Sequence, residues 1–177
     1  MPTYLDTFNL FVSLGVVILQ LFIAIMVLTM IFGKKDNVIL SFFREYGFYL
    51  GFLVSCGAVV ISLFYSNVIG FPPCELCYLN RIFIYPQLIL FSMELYKKDK
   101  SLVDFSIAFS LLSVITSLYH VYIERGGSST LPCAADTVNQ VSCATRYVFE
   151  FSYVTIPVMA LSASFFLLLL MVNYKRK

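Results

Sequence analysis

Apolar residues fill this chain in long blocks, and polar ones gather between them. Five blocks cover residues 8–32, 47–69, 78–95, 102–123 and 153–172. Each approaches the roughly 20 residues that a helix needs to cross about 30 Å of hydrocarbon. The third is the shortest, with Pro72 and Pro73 before it and Lys97 and Lys98 after it. In lipid a backbone must satisfy its own amide groups, so the pattern predicts a helical bundle rather than an open sheet. The fold class is all-α and integral to a membrane. The first block exceeds the roughly 7–15 apolar residues of a signal peptide and lacks a basic lead, so it reads as a retained span.

Composition agrees. Of 177 residues 60% are hydrophobic and 12% charged, too apolar for a soluble domain of this size. Mean hydropathy is +0.88. A net charge of +2 gives no electrostatic footprint for nucleic acid.

The placement of charge predicts orientation. Lys34, Lys35 and Arg44 lie between the first two blocks, Lys97, Lys98 and Lys100 between the third and fourth, and Lys175, Arg176 and Lys177 after the last. Basic short loops stay in the cytoplasm, so the N-terminus is expected outside and the C-terminus inside. The outer side then receives segment 71–77 and the loop 124–152, whose cations are Arg125 and Arg146.

Four of the five cysteines fall on that outer side: Cys74, Cys77, Cys133 and Cys143. Disulfides persist in such a compartment. Cys56 lies within a span beside Gly57 and Ala58 and reads as a packing residue. Cys74 and Cys77 form a Cys-x-x-Cys directly behind the two prolines, and Arg81 follows on the same helical face. The positive helix start and a guanidinium both favour a thiolate. A redox dithiol is the sharper reading; a structural disulfide or half a zinc site is the plainer one. Cys133 and Cys143 lie in a polar loop with Gly126, Gly127 and Pro132. Alone they read as a loop-closing disulfide; beside a redox pair they suit disulfide exchange.

Arg81 is expected just below the outer surface, either snorkelling or stabilising an anion such as a Cys77 thiolate or a quinone oxygen. His120, the single histidine, is expected near the outer end of the fourth span, in an aromatic belt or as a donor to a membrane cofactor. Glu75, Glu94, Asp104 and Glu124 read as interfacial and solvated. Gln20 and Gln87 lie deeper and suit hydrogen bonds between helices.

The stretch Pro73-Cys74-Glu75-Leu76-Cys77-Tyr78-Leu79-Asn80-Arg81, with Tyr85-Pro86 beyond it, resembles the disulfide bond formation protein B (DsbB) family, in particular its shorter BdbC-like branch. Tyr119-His120 before the cysteine loop and the 153–161 segment resemble two further family motifs, in the family's order. The resemblance runs from Gly47 to the C-terminus. It implies a four-helix domain over 47–172 with the cysteine loop at 124–152, an added N-terminal transmembrane helix over 1–33, and a cytoplasmic tail at 173–177. It further implies a multi-pass enzyme of the cytoplasmic membrane that reoxidises a thioredoxin-fold thiol oxidase (DsbA- or BdbD-like) and passes electrons to ubiquinone or menaquinone.

By the same resemblance, Cys77 reacts with quinone and Cys74 is its partner. Cys133 forms the mixed disulfide with the oxidase, and Cys143 attacks toward the Cys74–Cys77 pair. Arg81 and His120 fall at the quinone site, and no metal is implied. Three features depart from the family pattern: the span 8–32, Asn80 where Gln or Glu is usual, and Glu75, whose carboxylate disfavours a thiolate beside it. Other classes weighed against this reading are a membrane metal-binding protein with a four-cysteine site and a structural membrane protein with two inert disulfides. A vitamin K epoxide reductase-like enzyme carries its loop pair before the Cys-x-x-Cys, the reverse of the order here.

Overall fold

The computed structural model describes residues 2–32, 38–97, 102–128 and 142–175. They build helices α1 (Pro2–Phe32), α2 (Val38–Glu45), α3 (Gly47–Leu63), α4 (Glu75–Lys97), α5 (Leu102–Glu124) and α6 (Ile156–Lys175). Five candidate spans result, with a π-helical turn, Phe64–Val68, extending α3. Among the described residues the β-type pairing is an isolated antiparallel Glu150–Val154 bridge.

Helices α3, α4, α5 and α6 pack in a ring, with α3 closing against α6. α1 stands outside that ring against α6, and short α2 bridges α1, α3 and α6. The sequence pattern left 34–46 as a loop; α2 forms there because Leu40 and Phe43 bury one face while Arg44 ends the helix. The fourth helix is longer than its apolar block. It starts at Glu75, so the turn carrying Cys77 is already helical.

The core at the end away from the cysteines is aromatic and aliphatic: Met26, Phe43, Phe91, Phe166 and Leu170 are almost fully buried. Gly51 of α3 lets Phe91 of α4 lie against its backbone, where a Cβ would collide with the ring. Nearer the cysteines the helices are joined by polar rungs. Gln87 donates to the Ser110 hydroxyl at 2.7 Å and the Ser106 carbonyl at 2.9 Å, and accepts from the Ser106 hydroxyl at 2.6 Å. Asn80 donates to Ser117 and accepts from Ser113, both at 2.7 Å, and Ser113 contacts Ser164 at 2.6 Å. Gln20 ties α1 to Ser162 at 3.0 Å. Such bonds contribute only about 0.6 kcal/mol each in membranes. Their main effect is register, because a slipped helix would strand buried amides.

Two acidic residues differ from expectation. Glu94 is 1% exposed and Glu124 7%, not solvated at an interface. Glu94 follows Gln87 and Phe91 at helical spacing on the inward stripe of α4. Glu124 is drawn inward by its partners, described below. Glu75 and Asp104 are exposed, the latter paired with Lys175 at 2.5 Å.

Candidate active site

Cys74 caps α4. Its carbonyl accepts the first helical bond, from the Tyr78 amide at 3.1 Å. Its sulfur accepts the Cys77 amide at 3.4 Å, as an N-cap side chain does. The prolines before it cannot continue a helix backward, so the helix opens at the thiol. Three residues into the helix, the Cys77 sulfur lies 2.9 Å from that of Cys74. His120 of α5 is buried and brings Nε2 to 3.6 Å from the Cys74 sulfur. The histidine thus faces the dithiol and not the lipid interface.

These neighbours set the chemistry of Cys74. The Cys77 hydrogen bond holds its thiol well below the ordinary range; burial opposes this, and His120 adds to the lowering. A depressed thiol stays ionised as pH falls, and its contribution to stability is lost only as pH drops through the folded value. Thiolate ultraviolet absorbance of the reduced protein should persist through neutral pH and disappear in acid. A midpoint near the ordinary thiol value of about 8.5 would overturn this assignment.

Arg81 lies one turn beyond Cys77, and its guanidinium is anchored on α3. Nε donates to the Ser62 hydroxyl at 2.9 Å and an Nη to the Ser62 carbonyl at 3.1 Å, with the Tyr78 ring 5.7 Å below. Ser62 was not singled out in the sequence, since a serine within an apolar block carries no pattern of its own.

Two cavities meet at the cysteine pair. The smaller, about 30 Å³, joins Cys74, Cys77 and His120 to Cys143, Arg146 and Tyr147. Cys74 and Cys143 share one buried cluster with Leu76 and Ile123. The larger, about 660 Å³, is mostly apolar and extends between α1, α3, α4 and α6. Cys77, Arg81, His120 and Tyr147 line it, whereas Cys74 does not. Tyr147 borders both cavities and stacks on Phe71 at 4.6 Å. Burial, then the two thiols, push its phenol pKa up, so it keeps its proton.

The segment carrying Cys143 is clamped to α5. Gly126 at φ +92° ends that helix, its amide returning to the Ile123 carbonyl. Arg146 lies 3.6 Å from a Glu124 carboxylate oxygen and donates to the Glu124 carbonyl at 3.1 Å. Thr155 donates to the other carboxylate oxygen at 2.7 Å.

Cys143 is disulfide-bonded, while Cys74, Cys77 and Cys56 are free. Cys133 lies outside the described residues. Cys74, Cys77 and His120 bring three donor atoms within 4.8 Å of one another. Cys143 cannot add a thiolate to them while bonded, which removes the four-thiolate metal site in this state.

The family model described as "Disulfide bond formation protein DsbB" matches residues 44–174. The chain belongs to the DsbB family. A "Probable disulfide formation protein" of Chlamydia pneumoniae is 34% identical over 139 residues, 77% of this chain and 98% of that protein. A "Probable disulfide formation protein C" of Halalkalibacterium halodurans is 34% identical over 111 residues, 63% of this chain and 80% of that protein. One from Bacillus anthracis, "Probable disulfide formation protein C 1", is 32% identical over 118 residues, 67% of this chain and 84% of that protein. No solved structure matches. Membership in the DsbB family and the five apolar helices establish a multi-pass membrane protein of disulfide-bond formation. The family match begins within α2, so α1 lies outside it.

Proposed function

We propose that this protein reoxidises a thioredoxin-fold thiol oxidase outside the cytoplasmic membrane and passes the electrons to membrane quinone. One observation carries the reading: both thiols border the small cavity beside Cys143, and of the two only Cys77 also lines the large one. Cys77 opens onto the large apolar one with Arg81 and His120, and Cys74 packs with Cys143. Electrons have one sulfur by which to enter and another by which to leave.

The large cavity fits a quinone. Its volume lies within the roughly 300–1,000 Å³ of small-molecule sites, and its few polar groups converge near one thiol. Arg81 and His120 would hold the head group. A quinone, when bound there, would supply an acceptor for two electrons and two protons.

The chain's own steps are thiol–disulfide exchanges. A partner thiolate attacks Cys133 and releases Cys143, which attacks Cys74 and frees Cys77 toward the large cavity. The partner's second thiol completes its own disulfide and releases Cys133. Cys133 restores its bond to Cys143, leaving Cys74 and Cys77 as a dithiol. The pair then gives up two electrons and two protons and closes again. His120 steadies the Cys74 thiolate, while Arg81 offers fixed positive charge where the dielectric is low.

In this reading the cysteine end faces outward, with the N-terminus outside and the C-terminus in the cytoplasm. Residues 47–172 carry the chemistry, 1–33 add a span, and 173–177 form a tail. Purified protein in vesicles, given a reduced thioredoxin-fold oxidase and a soluble quinone analogue, should yield one quinol per partner disulfide. Given oxidised partner instead, Cys143→Ser should form a covalent complex as the lone Cys133 thiolate opens the partner's disulfide, and Cys133→Ser, which lacks that sulfur, should not. Partner oxidation without quinol, or equal trapping by both variants, would sink the scheme.

A further inference from the structure

The first helix is outside the family match, yet it forms a wall of the large cavity. Phe8, Phe11, Gly15, Leu19 and Phe22 of α1 all line it. Their spacing of three and four residues makes one stripe, about 21 Å long from Phe8 to Phe22. The helix leans on α6 but stands away from the other side: no Cα of α1 lies within 8 Å of α3 or α4 among the described residues.

The gap between α1 and α3 is closed near both ends by side chains. Toward the cysteines, the Phe8 ring meets Phe64 at 4.4 Å, and the Tyr65 hydroxyl donates to the Asn9 side chain at 2.9 Å. Toward the other end, Phe22 meets Phe43 of α2 edge-on at 6.2 Å. Between these clamps the gap opens sideways. Ile18 and Leu53 line the cavity and are also 47% and 68% exposed. Gly15 on α1 and Gly57 on α3 both line it, and a Cβ added to either would meet nothing within 4 Å.

We infer that α1 and α3 form a lateral portal for an isoprenoid quinone, with α1 holding the apolar chain and Gly15 leaving it room. This rests on the quinone reading above and adds the tail's path. The head is drawn toward Cys77, Arg81 and His120 because the cavity's chemical groups gather there. A stripe of apolar side chains running away from them suits an uncharged, extended hydrocarbon. It offers no charge for a lipid headgroup along its length.

The test adds bulk at Gly15. Full-length protein and its Gly15→Phe variant are purified in one detergent, and their melting temperatures compared to confirm folding. Leu14→Phe, on an exposed position that does not line the cavity, is the control. Long-chain quinone bound at equilibrium is quantified by extraction. Binding of a chainless analogue is measured in parallel. Gly15→Phe should lower retention of the long-chain quinone about tenfold while changing chainless binding less than about twofold. Leu14→Phe should leave both unchanged. A photoreactive group on the chain should label the α1 peptide.

Equal long-chain retention by folded Gly15→Phe, or labelling confined to α4 and α5, would overturn the inference. So would extraction of acyl lipid in place of quinone from the wild type. If the wild type binds and reduces neither quinone, the proposed function itself fails. If it handles both quinones and only the Gly15 effect is missing, that function stands and the portal does not.

Discussion

Replacing Cys77 with serine is expected to lower quinol formation by a factor on the order of 10³ or more. The expected loss is large because no other described thiol lines the cavity beside Arg81. Serine fits the same space and can still donate to Cys74, so the helix cap and bundle should survive. It cannot form the Cys74–Cys77 disulfide, however, and the exchange pathway ends at Cys74. Partner oxidation should fall to the single equivalent stored in the loop pair. Stopped-flow measurement of partner oxidation, with quinol followed by absorbance, separates that burst from turnover. Continued quinol formation within tenfold of wild type would remove Cys77 from the electron path.

Glu124→Leu should slow exchange between the loop pair and Cys74–Cys77 roughly tenfold to a hundredfold, because small displacements of reacting atoms carry penalties of that size. Glu124 is the joint between α5 and the segment bearing Cys143. Its carboxylate is buried and holds Thr155, while its carbonyl holds Arg146. The Arg146 side chain is 46% exposed, so the ion pair contributes little by itself. The buried bond to Thr155 is the larger loss, about 1.5–3 kcal/mol for a hydrogen bond to a charged group. Glu124→Gln keeps an acceptor for Thr155 and should fall between the two. Quinone affinity should stay near normal in both, since Glu124 does not line the large cavity. An unchanged exchange rate in a folded Glu124→Leu protein would show that the clamp does not position Cys143.

The spans were legible because a bilayer leaves few ways to satisfy a backbone. Their ends were less so: α4 starts three residues before its apolar block, since a prolyl break and an N-cap, not hydropathy, decide where a helix begins. The amphipathic α2 was missed because eight residues of mixed polarity read as a loop. Cys74, Cys77, Arg81 and His120 could be singled out by residue type and spacing. The attachments of Arg81 to Ser62 and Arg146 to Glu124 could not, because they depend on which faces of separate helices meet. Glu94 and Glu124 misled for a related reason. A carboxylate near a helix end reads as solvated unless the inward stripe of its helix is known.

The sulfur that caps α4 also bears on the direction of electron flow. Reduction turns Cys74 from a bonded sulfur into an anion held by a helix N-terminus, the Cys77 thiol and His120. Closing the disulfide cancels that charge and removes its electrostatic stabilisation. Whatever favours the reduced form raises the midpoint potential, by about 30 mV for each tenfold gain in its equilibrium share. In the proposed scheme this would make the Cys74–Cys77 disulfide a stronger oxidant than an unassisted one. The carboxylate of Glu75, next to the cap, is exposed to solvent, where its charge is screened.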